Sequence, residues 1–584
     1  MHSLPALLAA MLLLPLLAPP ARAAEAPSVI NDAHASDLRL RGDARAAAVR
    51  ARADSPTAVR ITTPHRPPNI WDVQLSLPNA VPIARGDTLH LTLRARSVES
   101  PMREATFEFN FETAGPPHHK SAQARFSVGE EWTDFSVPFR SIRDYAPGEA
   151  LAAIQLGFGP QTIEIDALRL VSYAGRLAPE DLPQTRSTYH GREPDAPWRA
   201  EAAERIDRLR KADLTLRVLD ASGAPVPNAR VEIRQTRHAF PFGTAVTARD
   251  LASASSESEA YRRKVAELFN EAVFENAMKW EHWGLGDPEQ IDAALAWLDE
   301  HDIPVRGHCL VWPGRLYMPK DALAALDDPR ALRELTERRV RETAARYAGR
   351  LIDWDVLNEP VTNRDIQNAL GDDAEADWFA IAREADPHAV LYVNDFGLMT
   401  EGDADNPKLD AYEAIIRRIL DAGAPLGGIG MQGHFATAAT PPEELWKIWD
   451  RFAALGLPIK VTELDMAFAD RDLQADYMRD FLTAAFAHPA VTGVLHWGFW
   501  EHRHWRPEAA LFAADWTPRP HGQAYIDLVF GAWTTRGTFT TDAEGLVRLR
   551  AFKGDYEITA GAAEPFRLRL EDDLQAELRL APSR

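Results

Sequence analysis

Hydrophobic and polar residues alternate along residues 28–175 with the period of two that is typical of β-strands. The clearest runs are 88–95, 106–111 and 161–168, and clusters of proline and glycine separate them. About 140 residues suits one domain of two packed sheets. The pattern therefore predicts an all-β sandwich over 28–175.

The next segment, 176–213, is predicted to connect two domains. It begins with a proline-rich polar stretch and continues with the highly charged run RAEAAERIDRLRKAD. A short helix that is charged on most sides is typical of a solvated connector. We expect a linker followed by such a helix.

Two further alternating segments lie far apart in the chain, at 214–236 and 533–584. In the first segment, Asp220-Ala221-Ser222-Gly223 supplies turn chemistry between two strand-like runs. Neither segment can bury both faces of a sheet on its own. The two are predicted to form one small split β-domain, with the intervening residues inserted into it.

Residues 237–532 alternate apolar strand candidates with amphipathic helices, among them 329–349, 407–421 and 471–487. Eight such units in about 295 residues predict a (β/α)8 barrel, in which the chemistry lies at the C-terminal ends of the strands. The strand candidates start near Phe240, Ala272, Ile303, Leu351, Ala389, Gly428, Leu457 and Gly493.

The N-terminus carries the pattern of a secretory leader. Leu4 to Leu17 is an almost continuous apolar run, and Ala21-Arg22-Ala23 fits a cleavage site between small residues. The run is too short to span a bilayer as a helix. The sequence predicts a signal peptide over 1–23, and hence a secreted or periplasmic protein that has no membrane contact after cleavage.

Composition narrows the classes of partner. The chain has 584 residues and a formal net charge of −21, so its charge does not favour nucleic-acid binding. Cys309 is the only cysteine, which excludes an intramolecular disulfide. We expect it to be a buried packing thiol. No obligate protein partner is inferred.

Polar and aromatic residues follow the predicted barrel strands. The C-terminal ends of all eight strands lie at one face of the barrel. Two apolar runs that each end in a glutamate therefore place two carboxylates across one pocket. Glycosidic bond cleavage needs such a pair, one to protonate the leaving oxygen and one to meet the anomeric carbon. Tryptophan, amide and charged side chains around the pair suit a sugar. The strand-end motifs are FGTAV, ENAMKW, RGHCLVW, WDVLNEP, VND, GIGMQGH, VTELD and HWGFWEHRHW.

These motifs resemble glycoside hydrolase family 10, the β-1,4-xylanases, in order and over the whole of the predicted barrel. The resemblance implies a secreted, retaining endo-β-1,4-xylanase that acts through a covalent glycosyl-enzyme, with no metal and no other cofactor. It implies that Glu463 is the nucleophile and Glu359 the acid/base. It also implies that His434 and Asp465 support the nucleophile, and that Asn358 binds the sugar's 2-hydroxyl.

The resemblance also implies a set of sugar-binding residues, and xylan or xylo-oligosaccharides as the ligand. The ending WGFWEHRHWRPEAALF resembles the subset that includes plant enzymes. The chain departs from the family at Pro313 and in 314–328, so the resemblance does not extend to the acceptor-side sugar sites. It also departs at Phe396 and at Glu501. The implied sugar-binding residues are Glu275, Asn276, Lys279, His308, Trp312, Gln432, Trp497 and Trp505.

The upstream sandwich resembles the carbohydrate-binding jelly rolls of families 4, 9 and 22. The pieces that carry this resemblance are IWDVQL, GDTLHLTLRARS, EEWTDFSVPF and QTIEIDALRLVSY. A sugar-binding face needs exposed aromatic residues, for which Trp71, Tyr145 and Phe158 are the candidates. Trp132 is predicted to lie in the core. A purely structural role for this domain stays open.

Two other functions stay open for the chain as a whole. One is a β-1,4-glucanase or a glycosidase of mixed specificity from the same clan. The other is a carbohydrate-binding or scaffold protein without catalysis. The presence of Glu359, Glu463, His434 and Asp465 favours an enzyme, because a decayed site usually loses at least one such group.

Overall fold

The structure is a computed structural model, and it falls into two compact units. The predicted signal peptide lies outside the described residues. Within the described ranges, no helix combines the length and the apolar character that a membrane crossing requires. The first unit comprises 1–65, 70–123 and 128–185, and the second 66–69, 124–127 and 186–584. The structure describes residues 27–33, 37–49, 58–100, 104–186, 188–282, 288–402, 404–436, 438–468, 470–561 and 565–580.

The first unit is a sandwich of two antiparallel sheets. One sheet has the order β3-β4-β11-β6-β9, with β1 also paired to β11, and the other has the order β2-β5-β10-β7-β8. The strands are β1 (Ser28–Ala33), β2 (Arg39–Arg41), β3 (Arg45–Val49), β4 (Ala58–Thr63), β5 (Gln74–Pro78), β6 (Thr88–Glu99), β7 (Ala105–Thr113), β8 (Lys120–Val128), β9 (Thr133–Arg140), β10 (Ala150–Gln155) and β11 (Gln161–Ser172).

The aromatic residues of the sandwich are distributed differently from the sequence-based prediction. Tyr145 and Phe158 are buried, so they belong to the core and cannot form an exposed face. Trp132 is half-buried and does not lie in the core. The guanidinium groups of Arg94 and Arg96 cover its ring, at 5.5 and 5.1 Å from the ring centre. Trp71 alone among the three predicted sugar-binding candidates is exposed.

In the described part of the second unit, fifteen strands form two small sheets and one closed barrel. They are β12 (Lys211–Leu219), β13 (Arg230–His238), β14 (Phe242–Val246), β15 (Ala272–Phe274), β16 (Val305–Val311), β17 (Asp353–Asn358), β18 (Val390–Asp395), β19 (Gly428–Phe435), β20 (Ile459–Met466), β21 (Val491–His496), β22 (Arg536–Thr540), β23 (Leu546–Phe552), β24 (Gly554–Ala560), β25 (Phe566–Leu570) and β26 (Leu574–Arg579).

The helices of the second unit mostly alternate with the barrel strands. They are α1 (Pro197–Arg210), α2 (Ala248–Ala252), α3 (Ser256–Leu268), α4 (Pro288–Glu300), α5 (Lys320–Ala324), α6 (Pro329–Arg346), α7 (Asp365–Leu370), α8 (Ala374–Ala385), α9 (Pro407–Asp421), α10 (Pro442–Ala453), α11 (Arg471–Ala487) and α12 (Pro520–Asp527).

The eight strands β14 to β21 form a closed parallel barrel, in which β21 pairs back to β14. Each strand begins within two residues of its predicted start. These strands are buried along their whole length because helices cover their outer face and side chains fill the interior. The predicted (β/α)8 fold is confirmed.

Both flanks of the barrel contribute to the two small sheets. β12 pairs with β23 on one side and with β26 on the other, while β13 pairs with β22 and β24. Alternate residues of these strands, such as Leu214, Leu216 and Ile558, are fully buried in a shared core. The period of two in the sequence therefore reflects one buried face on each sheet.

Helix α1 differs from the solvated connector that its charge pattern suggested. Trp198, Ala202 and Ile206 are buried on one face, and α1 packs against α11. The Trp198 indole N–H donates to the carbonyl of Gly191 at 2.7 Å. Three apolar residues at helical spacing are enough to dock the helix, although its other positions are charged.

A network of buried charges lies inside the barrel. Arg306 on β16 pairs with Asp353 at 2.8 Å and also with Asp355, both on β17. Lys460 on β20 pairs with Asp353 at 2.6 Å and with Glu271 at 2.7 Å. All five side chains are nearly inaccessible, so each depends on its partners to replace the water it has lost.

Candidate active site

The two predicted catalytic glutamates lie at the C-terminal ends of barrel strands. Glu359 directly follows β17, and Glu463 lies near the end of β20. Both are buried, with 9% and 4% of their surface exposed. His434 on β19 is opposite Asp465 in the pairing of β19 with β20, and Gln432 is opposite Glu463. Neighbouring strand ends thus bring these residues into one site.

The backbone and three side chains fix the position of Glu359. Its φ of +54° is left-handed, a costly conformation for glutamate that the hydrogen bond from its N–H to the Asn394 carbonyl at 2.7 Å supports. The Trp312 indole and the Asn363 amide donate to Oε2 at 3.1 and 2.9 Å. The Gln432 amide donates to Oε1 at 3.2 Å.

The surroundings of Glu359 favour its protonated form. Burial is the largest effect, and with the negative charges of Glu463 and Asp395 it raises the pKa of Glu359 to about 7. The hydrogen bonds from Gln432 and Trp312 oppose this shift only in part. Glu359 therefore carries a transferable proton near neutral pH.

Glu463 has the opposite electrostatics. Burial alone would raise its pKa, but the hydrogen bond from His434 and the neighbouring positive charges outweigh burial and hold the pKa below its usual value. His434 Nε2 lies 3.1 Å from Oε2, and the Asn394 amide donates to Oε1 at 2.8 Å. Glu463 is thus an ionised and firmly oriented carboxylate.

His434 links Glu463 to Asp465. Its Nδ1 lies 3.0 Å from Asp465 Oδ2. Burial would lower the pKa of His434, but the charges and hydrogen bonds of Asp465 and Glu463 raise it to about 9. Asp465 Oδ2 also accepts a hydrogen bond from the Trp505 indole at 2.7 Å, and Asp465 Oδ1 lies 3.4 Å from Arg506.

Three amide side chains connect the two glutamates. Gln432, which donates to Glu359, also donates to Asn358 Oδ1 at 3.4 Å. Asn394 donates both to Asn358 Oδ1 at 3.0 Å and to Glu463. The Nδ2 atom of Asn358 is buried and has no hydrogen-bond partner in the described part of the chain. It is therefore a donor available to a ligand.

The residues implied for sugar binding form one group beside this pair. Lys279 donates to Asn276 at 2.9 Å, and its ammonium lies 5.0 Å from the centre of the Trp312 ring and 5.9 Å from that of Trp497. His308 contacts Trp497, with ring centres 5.1 Å apart.

Glu275 belongs to the same group, and a buried carboxylate orients His308. Burial is the main cause of a raised pKa at Glu275, which the charge of Lys279 partly offsets. His308 Nδ1 lies 2.9 Å from Asp355 Oδ2, so the buried charge network also orients this ring. The structure therefore brings the predicted sugar-binding residues to the same end of the barrel as the glutamates.

Two tryptophans have contacts beyond the predicted role as pocket walls. Tyr317 stacks on Trp312, with ring centres 3.5 Å apart and planes 10° from parallel, so it covers one face of the indole. Trp505 is half exposed but is anchored through Asp465. The segment after Pro313, which departs from the family pattern, thus still supplies an aromatic ring.

Sequence reasoning did not assign three groups of the site. These are Asn363, which donates to Glu359, Asn394, which donates to Glu463, and Arg506, which faces Asp465. Asn394 could have been assigned, since it is the last residue but one of the fifth barrel strand, in the motif VND. Asn363 and Arg506 lie in loops where no periodicity marks them. No group of three or more His, Cys, Asp or Glu residues suited to a metal ion occurs among the described residues.

Comparison with known proteins adds relatives to this geometry. The family model described as "Glycosyl hydrolase family 10" matches residues 233–528, just over half of the chain. Anti-sigma-I factor RsgI6 of Acetivibrio thermocellus is 34% identical over 368 residues, which are 62% of this chain and 46% of that protein. Endo-1,4-beta-xylanase 1 of Arabidopsis thaliana is 30% identical over 363 residues, 60% of this chain and 36% of that protein.

The alignments therefore span less than half the length of these two curated relatives. Among solved structures, xylanase 10B from Thermotoga petrophila, in complex with xylobiose, matches 50% of this chain and 95% of its own chain. That match has 24% identity and a TM-score of 0.46.

Proposed function

The chain belongs to glycosyl hydrolase family 10, and from this premise we propose that it is a retaining endo-β-1,4-xylanase. It hydrolyses internal β-1,4 bonds of xylan by double displacement. The observation that carries the proposal is the contrast between the two glutamates: the pKa of Glu359 is raised to about 7, whereas that of Glu463 is lowered. One site thus offers a proton and an anion.

In the first step the Glu463 carboxylate attacks C1 of the sugar while Glu359 gives its proton to the glycosidic oxygen. The C1–O bond breaks, the shortened chain leaves, and Glu463 becomes a neutral ester. The buried Nδ2 of Asn358 suits a hydroxyl of the reacting sugar, and such a bond accelerates the step if it strengthens in the transition state.

In the second step water attacks C1 and releases Glu463. Esterification has removed the negative charge that raises the pKa of Glu359, so this carboxylate now accepts the proton of the water. The bond between C1 and Glu463 breaks, and both side chains return to their first protonation states. His434 stays bound between Glu463 and Asp465 and keeps the departing carboxylate ionised.

Sugar release by the purified full chain tests this function. We expect reducing ends to appear from xylan, the first product to have the β configuration by NMR, and Glu359→Ala and Glu463→Ala each to abolish hydrolysis. Glu334→Ala, on the exposed face of α6, should behave as wild type. Release from carboxymethylcellulose at a similar rate would favour a glucanase, and release from neither polymer would reject the proposal.

For the sandwich we propose xylan binding centred on Trp71, because this ring is half exposed and therefore open to a sugar face. Affinity electrophoresis of the full chain in soluble xylan should show retardation that Trp71→Ala weakens. Equal retardation of variant and wild type would leave the sandwich a structural role.

We further propose that residues 1–23 direct export and are then removed, so that the mature protein is secreted or periplasmic. The apolar run and the small residues around Arg22 support this. N-terminal sequencing of the protein recovered outside the inner membrane should begin at Ala24. Recovery of the uncleaved chain in the cytoplasm would contradict it.

A further inference from the structure

Asp395 is a buried carboxylate next to the catalytic pair that has no part in the two chemical steps. It is fully inaccessible at the end of β18, directly after Asn394. Its Oδ2 accepts the backbone N–H of Val361 at 3.0 Å, and its Oδ1 accepts that of Phe396 at 2.8 Å. Val361 is two residues beyond Glu359, so Asp395 anchors the loop that carries the acid/base.

Lys408 provides the positive charge opposite Asp395. Its ammonium lies 2.8 Å from Asp395 Oδ1 and is itself largely buried, with 16% of the side chain exposed. The start of α9 sets its position: Asn406 accepts the backbone N–H of Lys408 at 2.9 Å and donates to the Gly397 carbonyl at 2.7 Å. Helix α9 therefore delivers one charge to the rear of the Glu359 loop.

The charge of Asp395 acts on Glu359, and Lys408 lies beside that charge. The negative charge of Asp395 raises the pKa of Glu359. Lys408 offsets that charge and stays outside the set of groups that hydrogen-bond to Glu359. Burial raises the pKa of Asp395, whereas Lys408 and the two backbone N–H groups favour its charged form.

We propose that Lys408 is a positioning residue for the proton transfer: its ion pair with Asp395 holds the loop 359–361 and sets the charge that Glu359 experiences. The inference rests on the proposed function, which gives the proton of Glu359 its role. Among the described residues, the titratable groups that interact with Glu359 include Glu463 on β20, Asp395 on β18, Cys309 on β16 and Tyr317 after β16. Those that interact with Asp395 include Lys408 and Tyr412 on α9.

The pH dependence of kcat/KM on xylohexaose tests the proposal, because its upper limb reports the loss of the Glu359 proton. Asp395→Asn removes the negative charge and leaves Lys408 unpaired, so the limb should move to lower pH by about half a unit to one unit. Lys408→Met leaves Asp395 unpaired and should move the limb to higher pH by a similar amount. The double variant should return it close to the wild-type position.

Matched controls remove one charge each from the exposed face of the same helix. Arg417→Met and Asp410→Asn should leave the limb in place, since both side chains face solvent. Lys408→Arg keeps the positive charge, so its upper limb should stay at the wild-type pH. Thermal melting of every variant identifies unfolded protein, and the limb is compared only among folded variants.

The outcomes separate this proposal from the function on which it rests. Opposite shifts in the single variants, with recovery in the double variant, support the role of Lys408. An active wild type whose limb does not move in either single variant, or moves in the same direction in both, overturns that role and leaves the function intact. A wild type that releases no sugar from xylan overturns the function itself.

Discussion

Replacing Asp465 by asparagine should change the charge of His434 with little change in shape. In three other buried histidines, His238, His504 and His521, burial is the main cause of a pKa lowered to about 4. The pKa of His434 is instead raised to about 9, because the charges and hydrogen bonds of Asp465 and Glu463 outweigh burial.

Asp465 is the larger of the two influences that raise the pKa of His434, so Asp465→Asn should bring that pKa down toward its ordinary value of 6.5. Above that pH the ring is neutral, and Nδ1–H still donates to the new amide oxygen. Nε2 then presents a lone pair to Glu463 at 3.1 Å, where it previously donated. The nucleophile loses its hydrogen bond, and its pKa should rise.

The assay uses 2,4-dinitrophenyl β-xylobioside, whose leaving group departs without protonation. For this substrate kcat/KM does not depend on proton donation by Glu359. The wild type should stay level until His434 loses its proton near pH 9, because a raised pKa keeps the charged form up to that pH. The variant should fall about tenfold per pH unit above about pH 6.5, which is about 30-fold by pH 8.

Two observations would refute this reasoning. One is a pH profile for Asp465→Asn that superimposes on the wild-type profile. The other is a uniform loss at every pH, which would mean that Asp465 acts on the geometry of the site and not on the charge of His434. Asp527→Asn, on the exposed face of α12, is the control and should match wild type.

On xylan, whose leaving sugar needs a proton, kcat/KM should fall above about pH 7 as Glu359 ionises, and a rate level to pH 9 would contradict this. Trp312→Phe removes one hydrogen bond from the Glu359 carboxylate and should move that fall to higher pH; no movement would exclude the bond as an influence on the pKa. Asp353→Ala leaves Arg306 and Lys460 buried beside each other and should lower the free energy of unfolding by about 3–5 kcal/mol in a urea titration, whereas a loss below about 1 kcal/mol would mean that water reaches the pair.

The fold could be predicted from the sequence wherever one face of an element is buried. The barrel strands are short buried segments between helices, and helices α9 and α11 coincide with the predicted ranges 407–421 and 471–487. Local pattern carries this information because burial of each element follows its own period. It carries less for α1, where three buried residues among many charges decide the packing.

The site could be predicted only as far as strand ends and motif resemblance reach. Glu359 and Glu463 are brought together by barrel closure, which the sequence predicts as a topology. Some of the surrounding donors are a different matter. Asn363 reaches Glu359 from a loop, and Arg506 reaches Asp465 from another. A loop's conformation depends on contacts that no periodicity records.

In the sandwich, the sequence predicts only in part which aromatic side chains are exposed. The sequence suggests Tyr145 and Phe158 as candidates for an exposed sugar-binding face, yet both rings are buried. Trp132 follows a polar segment and is only half-buried. The alternation along a strand determines only on which face of the sheet a side chain lies. Whether an aromatic ring on that face is exposed depends on the neighbours that cover it.

The insertion of the barrel between β13 and β22 has a consequence for the order of events during synthesis. The ribosome completes all eight barrel strands before it makes β23 and β26, the two partners of β12. For the whole of that interval β12 has no sheet to join. Closure of these small sheets is therefore a late event. It brings together the segments that precede and follow the barrel after all the barrel strands have been made.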